Sequence, residues 1–482
     1  MERACYDATR CPLTALSSDV LDLTLKTRVA HGGMAVLEGS PLQQVLRLSW
    51  PVILSQLLVN AVNIVDLIML GRLGTQTLAA VGYAMQCLFV VQSSVMAVGA
   101  ACVAMMSRSV GGGHSERARA AFATNLLVGV LGFALPLMLL ALLAPVFVLN
   151  LLAVPQSVLE IVVPYFRWTL SASLPVACCV IYDHAFRSVR DTVQPMRITV
   201  AVSIAKVALN YVLIFGVPGV PALGLLGAGV ATVLAHSIGA VLFIYAANAH
   251  HHEALRLSFG DMARGLRRIG ETLRLSLPAL GERMSMTLAL MVYFRFLAHY
   301  DVAAIAAYNV GVRVLAFTWI PGIGLGVAAS TLVGQALGAR DPRTARQSGG
   351  QAVRLGLMIA VTLGMVFVLL RQPISLLFTN DDNVIAALDP FLLFLAASLP
   401  FLVTHFALAG ALRGAGDTLT PLYASAVGSW VIRVPLGYVF SSVVGLPLIW
   451  VWSILLFDHL TRAIWLTWVF RRGRWHQRLG DD

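Results

Sequence analysis

Apolar stretches of twenty residues or so, separated by short polar or basic segments, occupy the chain from about residue 45 to about residue 470. A helix needs about 20 apolar residues to cross about 30 Å of hydrocarbon. The pattern therefore predicts twelve membrane spans, near 45–70, 79–106, 122–145, 158–186, 195–216, 223–247, 272–297, 304–333, 351–370, 386–412, 421–443 and 447–470. Composition points the same way. The 482 residues are 58% hydrophobic and only 12% charged, where a soluble domain carries about 25% charge, and the mean hydropathy is +0.81. Residues 1–40 mix charge with Ser, Thr and Gly and hold no apolar core behind a basic start. They read as a disordered tail and not as a secretory signal, and Met34 offers an alternative start.

The net charge of +11 changes the picture only through its placement. Segments 107–121, 187–197, 248–274 and 338–354 carry arginines, as does the tail "RRGRWHQR". Segments 146–157, 217–222 and 444–446 carry no Lys or Arg, and 71–78 has only Arg72. The excess of basic residues on the cytoplasmic side of membrane proteins places both termini and all the basic loops in the cytoplasm, which agrees with an even number of spans. Topology thus accounts for the charge, and nucleic-acid binding is not expected. Cys87, Cys102, Cys178 and Cys179 lie in apolar stretches and Cys5 and Cys11 in the tail, without disulfide, zinc, haem or redox spacing. No span contains "HExxH" or a nucleophile–base pair, so an intramembrane enzyme, a metal centre and an organic cofactor are not expected.

The second half repeats the first. "FRSVRDTVQP" (186–195) returns as "LRGAGDTLTP" (412–421). With a shift of about 227 residues Pro51 falls on Pro278, and "LAAVG" (78–82) on "IAAYN" (305–309). "SRSVGGGHSERAR" (107–119) falls on "GQALGARDPRTAR" (334–346), and "KVALNYV" (206–212) on "RVPLGYV" (433–439). The unit is six helices, so both copies enter the membrane in the same sense. Such parallel repeats place a transporter's substrate site between the two halves. The expected units are a tail at 1–40, an N-lobe at 41–250, a C-lobe at 251–470 and a basic tail at 471–482.

These residues resemble the MATE (multidrug and toxic compound extrusion) family of the MOP superfamily. The resemblance rests on "VDLIMLGRLGTQTLAAVG", "LNYVLIFGVPGVPALGLLGAGVAT", "GQALGARD" and "LRGAGDTLTPL", and it covers roughly 45–470. It implies an all-α membrane protein of two six-helix lobes around a V-shaped cleft. It also implies a monomeric plasma-membrane antiporter (the inner membrane in a bacterium) exporting amphipathic, cationic small molecules against H⁺ or Na⁺. The other reading is a related lipid or oligosaccharide flippase. Flippases often add spans and line their cavity with several cations, whereas here the cavity-side candidates are few and twelve spans suffice.

Asp66 leads the candidate site, because an ionisable side chain inside a span is expensive and therefore functional by default. Gln56, Asn60 and Asn63 share its helix and fall with it within about 120° of one face. Family members bind the coupling cation through the acid that precedes "xxxxGRLG", the position of Asp66. A second helix-five acid known in one branch is replaced here by Asn210, with Lys206 one turn before it. The helix-ten acid of another branch is Leu402, and Asp66 itself falls on Tyr293 in the second copy. Coupling is thus expected to centre on the N-lobe, with H⁺ and Na⁺ both open and Lys206 a competitor for the acid. Glu282 and Arg313 lie at similar depths on adjacent spans and are expected to meet near the midplane. Asp458 and Arg462 are expected to pair along the last helix. His236 and His405 read as packed histidines, with a proton relay as the alternative, and Asp191 and Asp417 as ties for the loops beside Arg187 and Arg413.

Overall fold

The computed structural model describes residues 27–29, 35–37, 40–297, 299–473 and 475. Most of the expected N-terminal tail, and residues 474 and 476–482, lie outside these. Within the tail Thr27–Val29 pairs antiparallel with Ala35–Leu37. The remainder is helical. The long helices are α1 (Pro41–Gly71), α2 (Thr75–Gly111), α3 (Ser115–Leu143), α4 (Val158–Ser188), α5 (Val193–Phe215), α6 (Leu225–Ala249), α7 (Ile269–Leu297), α8 (Val302–Gly338), α9 (Pro342–Leu369), α10 (Asp382–Gly414), α11 (Leu419–Val443) and α12 (Leu448–Arg472). Eleven are long and apolar enough to span a membrane. The other, α7, has 29 residues but carries Glu271, Arg274, Glu282, Arg283 and Arg295, which lower its hydropathy. Helix ends run past the expected spans because the chain stays helical beyond the hydrocarbon, and several N-termini there carry side-chain caps. At α1 the Ser40 hydroxyl accepts from the Gln43 backbone while Gln43 accepts from the Ser40 backbone, and Pro41 follows at the first position.

Each half has its own core. One buried cluster runs from Leu70 to Leu275 and the other from Tyr293 to Trp475. There is one exchange: Val45 and Leu48 of α1 join the second cluster, while Leu275 of α7 joins the first. Leu48 and Leu275 are 227 residues apart, so the exchange itself obeys the repeat. The turns obey it too. Gly113 (φ 77°) corresponds to Arg340 (φ 58°), and Gly416 (φ 83°) to Arg190 (φ 65°). Each turn needs the left-handed conformation. Glycine adopts it freely, whereas arginine holds it at a cost of about 1–2 kcal/mol.

The halves meet at the end that carries the arginine-rich loops. There the Gln335 side chain donates to Ser188 O (2.7 Å), Thr331 to Arg187 O (3.2 Å) and Thr124 to Gly265 O (3.0 Å). At this seam α2 crosses α8 backbone to backbone. A Cβ on Gly111 would overlap the Gln335 carbonyl, and a Cβ on Gly338 would overlap the Arg108 carbonyl. These two contacts exchange under the 227-residue shift. A Cβ on Gly334 would overlap the hydroxyl of Ser107, its own counterpart. The seam therefore lies on the pseudo-twofold axis relating the lobes.

Candidate functional site

Asp66 is 5% exposed and faces α5. Lys206 and Asn210 sit four residues apart on α5, so both point from one face toward α1. Lys206 Nζ lies 2.5 Å from Asp66 Oδ2, and Asn210 Nδ2 donates to Asp66 Oδ1 at 2.6 Å. The carboxylate thus has one charged and one neutral partner, and all three side chains are buried. Burial of the ammonium is tolerable because the carboxylate is there, and the converse holds equally. Among the described residues Asn210 Oδ1, buried beside them, has no hydrogen-bond partner. It is an oxygen acceptor with unused capacity next to an anionic oxygen.

The rest of the polar stripe on α1 does not join this cluster. Asn60 is half-buried and donates to Gln56 O (3.0 Å), and Asn63 is exposed. His236 is bonded to Thr232 O (2.8 Å).

The corresponding place in the C-lobe keeps the packing and loses the chemistry. Tyr293 and Gly437 stand where Asp66 and Asn210 stand in the N-lobe, and a Cβ at Gly437 would lie 3.3 Å from the Tyr293 ring. Tyr293 is a buried core residue that donates to Val451 O (2.7 Å), and with Tyr308 and Arg433 it lines a small cavity inside the C-lobe. The counterpart of Lys206 is Arg433, which turns to α12 and pairs with Asp458.

Glu282 does not meet Arg313. Arg413 on α10 holds both of its oxygens at 2.8 Å, and Ser425 on α11 donates to it at 3.2 Å. Arg313 is exposed. Depth along two neighbouring helices had suggested the pairing, but depth carries no information about which way each side chain points around its helix. The Asp458–Arg462 pair is present, with Arg462 Nε 2.6 Å from Asp458 Oδ1. It is part of a larger network that sequence spacing did not reveal. Arg462 also donates to Ser429 (2.9 Å), one turn beyond Ser425. A π-helical turn at Val427–Arg433 brings Ser429 and Arg433 to this face, and a side chain at Gly428 would overlap Asp458. His405 Nδ1 and both ring nitrogens of His459 are buried nearby without partners among the described residues. With three arginines against two carboxylates, the network is already rich in positive charge and reads as structural. Asp458→Asn should therefore leave two buried guanidiniums undercompensated and destabilise the protein by about 3–5 kcal/mol, the usual cost of breaking a buried ionic group. Thermal unfolding of the purified variant measures this, and an unchanged midpoint would contradict it.

Asp191 and Asp417 cap their helices as loop ties. Asp191 accepts from Val193 N and Gln194 N (3.0 and 2.9 Å), and Asp417 from Thr420 N and its hydroxyl (3.1 and 2.7 Å). The neighbouring arginines are used elsewhere, Arg187 on Asp183 and Arg413 on Glu282.

Comparison with known proteins fits this geometry. The MatE family profile matches residues 51–212 and again 278–439, the second match beginning 227 residues after the first. A probable multidrug resistance protein NorM of Bradyrhizobium diazoefficiens is 32% identical over 85% of this chain and 88% of its own length. Its namesake from Thermotoga maritima is 24% identical over 90% of this chain and 93% of its own. Among solved structures, a MOP superfamily transporter from Pyrococcus furiosus superposes with a TM-score of 0.84 at 19% identity, covering 94% of this chain and all of that one; its binding pocket is described as of reversed polarity, suggesting a different function. Two matched copies, each spanning five helices of its lobe (α1–α5 and α7–α11), and a relative about one-third identical along most of both chains place this protein in the MatE family of membrane transporters.

Proposed function

We propose that the protein is a multidrug-type efflux antiporter that works by alternating access, with Asp66 as the carboxylate that binds the coupling ion. The observation that carries this is the Asp66–Lys206–Asn210 cluster between α1 and α5. A proton or Na⁺ on Asp66 competes with Lys206 for the same carboxylate. Loading the ion therefore weakens the tie between two helices and biases their packing, which is how ion binding shifts a conformational equilibrium. The orphaned Asn210 Oδ1 supplies an acceptor for a protonated Asp66 or a second oxygen for Na⁺. The printed names of the relatives, multidrug resistance proteins, support the efflux reading. By the arginine distribution the seam end is cytoplasmic, in which case the lobes are closed toward the cytoplasm and the cleft faces outward. Each lobe completes its core within one chain, which supports a monomer in the plasma membrane.

A second reading concerns the charge of the cargo. Arg283 and Arg313 are exposed at mid-span, where contact with lipid would cost several kcal/mol. They are therefore assigned to the water-filled space between the lobes. Those two cations favour an anionic amphiphile such as a lipid-linked sugar phosphate. Proteoliposomes with an imposed ion gradient test both readings. Gradient-driven extrusion of a fluorescent organic cation supports multidrug export. Transport of an anionic amphiphile alone, lost in Arg283→Gln/Arg313→Gln, supports the second, and no transport of either would remove the antiporter proposal.

A further inference from the structure

A cavity of about 800 Å³ opens beside the seam, at the end with the basic loops. Arg108 of α2 and His114 and Arg117 at the start of α3 line its N-lobe wall. Arg264 and Arg268 come from the segment joining the lobes, and Arg340 from the end of α8 in the C-lobe. Among the described residues the acids on the wall are Glu116 and Glu271. Glu271 is held by Arg268 at 2.7 Å, and Glu116 has Arg264 and Arg119 at 3.8 and 4.0 Å. The described residues of the wall thus include five arginines and two glutamates, and Arg264 also reaches Asp261 at 3.7 Å. Among the described residues no ion pair involves Arg117 or Arg340.

We infer that this cavity binds a phosphate-bearing anion that bridges the two lobes. Guanidinium groups present forked donors matched to phosphate oxygens, and several converging on one volume favour a multiply charged anion over chloride. The first turn of α3, with His114 at its cap and Arg117 inside it, turns the positive end of a long helix toward the same volume. Anchoring one arginine wall in each lobe makes the cavity depend on the seam. Arg340 follows Gly338 by two residues, and Gly338 packs on the Arg108 carbonyl from the opposite wall. Separation of the lobes at this end would pull the walls apart, so the bound anion favours the closed seam. That consequence rests on the alternating-access reading; binding does not.

The phosphate has two sources, a soluble polyphosphate or a lipid headgroup. Titration of the full-length protein in detergent with inorganic pyrophosphate, at constant ionic strength against a chloride control, tests the first. The second is tested in nanodiscs of phosphatidylglycerol against phosphatidylcholine, with spin labels on Arg197→Cys and Arg343→Cys, both exposed and off the cavity wall, in a background of replaced native cysteines, reporting the seam. Saturable pyrophosphate binding weakened at least tenfold by Arg117→Gln/Arg340→Gln supports a soluble anion. A closed-seam population raised by phosphatidylglycerol and lost in the same variant supports a headgroup. Arg117→Lys/Arg340→Lys keeps the charge and should retain part of either effect, which separates site loss from misfolding. Failure of both arms in the wild type, or effects equal in wild type and the Gln variant, overturns the assignment.

Discussion

Asp66→Asn should reduce ion-driven efflux to the level of vesicles without protein, while substrate binding to the detergent-purified protein survives. Asparagine preserves the shape of the side chain and its hydrogen bond with Asn210, and it removes both the charge and the titration. It also strips Lys206 of its counter-ion, and removing one partner of a buried pair commonly costs about 3–5 kcal/mol. Loss of activity by itself would therefore be ambiguous. Asp66→Asn/Lys206→Gln resolves it, because neutralising both partners removes the uncompensated charge. The double variant should recover thermal stability relative to the single one and still fail to couple. Efflux by either variant at the native rate and with the native pH dependence would move coupling away from Asp66. Recovery of transport together with stability would make the pair a structural tie.

The helices were legible because hydrocarbon admits few alternatives: a spanning segment must satisfy its own backbone, and about 20 apolar residues announce it. Asp66, Lys206 and Asn210 were legible for a related reason. Polar groups are rare within spans, so the few present tend to find each other, here across 144 residues of sequence. Glu282 shows where this fails. Depth along the chain points to Arg313 on the neighbouring span, whereas the partner is Arg413, 131 residues away at the end of α10 beside the loop tie Asp417. The repeat showed that Gly111 matches Gly338 and Ser107 matches Gly334. It did not show that these positions face each other, since alignment reports equivalence and an axis of symmetry reports contact. The repeat also concealed a divergence. Lys206 and Arg433 align, yet one serves the carboxylate on α1 and the other the carboxylate on α12.

That crossing carries the second large effect. Gly111→Ala or Gly338→Ala should drive the seam apart. In each case the obstructing atom is a main-chain carbonyl of the opposing lobe, Gln335 or Arg108, which cannot rotate away as a side chain would. Overpacking of this kind costs about 1–3 kcal/mol, and each 1.4 kcal/mol is about tenfold in a population. The closed-seam state should therefore lose roughly five- to hundredfold in relative population, and efflux should fall with it. Because the two contacts are related by the repeat, the two variants should give similar distance distributions between spin labels on Arg197→Cys and Arg343→Cys, both displaced to longer values. Gly410→Ala provides the contrast. Its added methyl would meet the Gly326 backbone inside the C-lobe, where α10 packs on α8. It should lower the unfolding midpoint without opening the seam. If Gly111→Ala and Gly338→Ala also lowered the midpoint and left the label distance unchanged, the glycines would be packing residues within a rigid body, and the crossing of α2 and α8 would not be the gate.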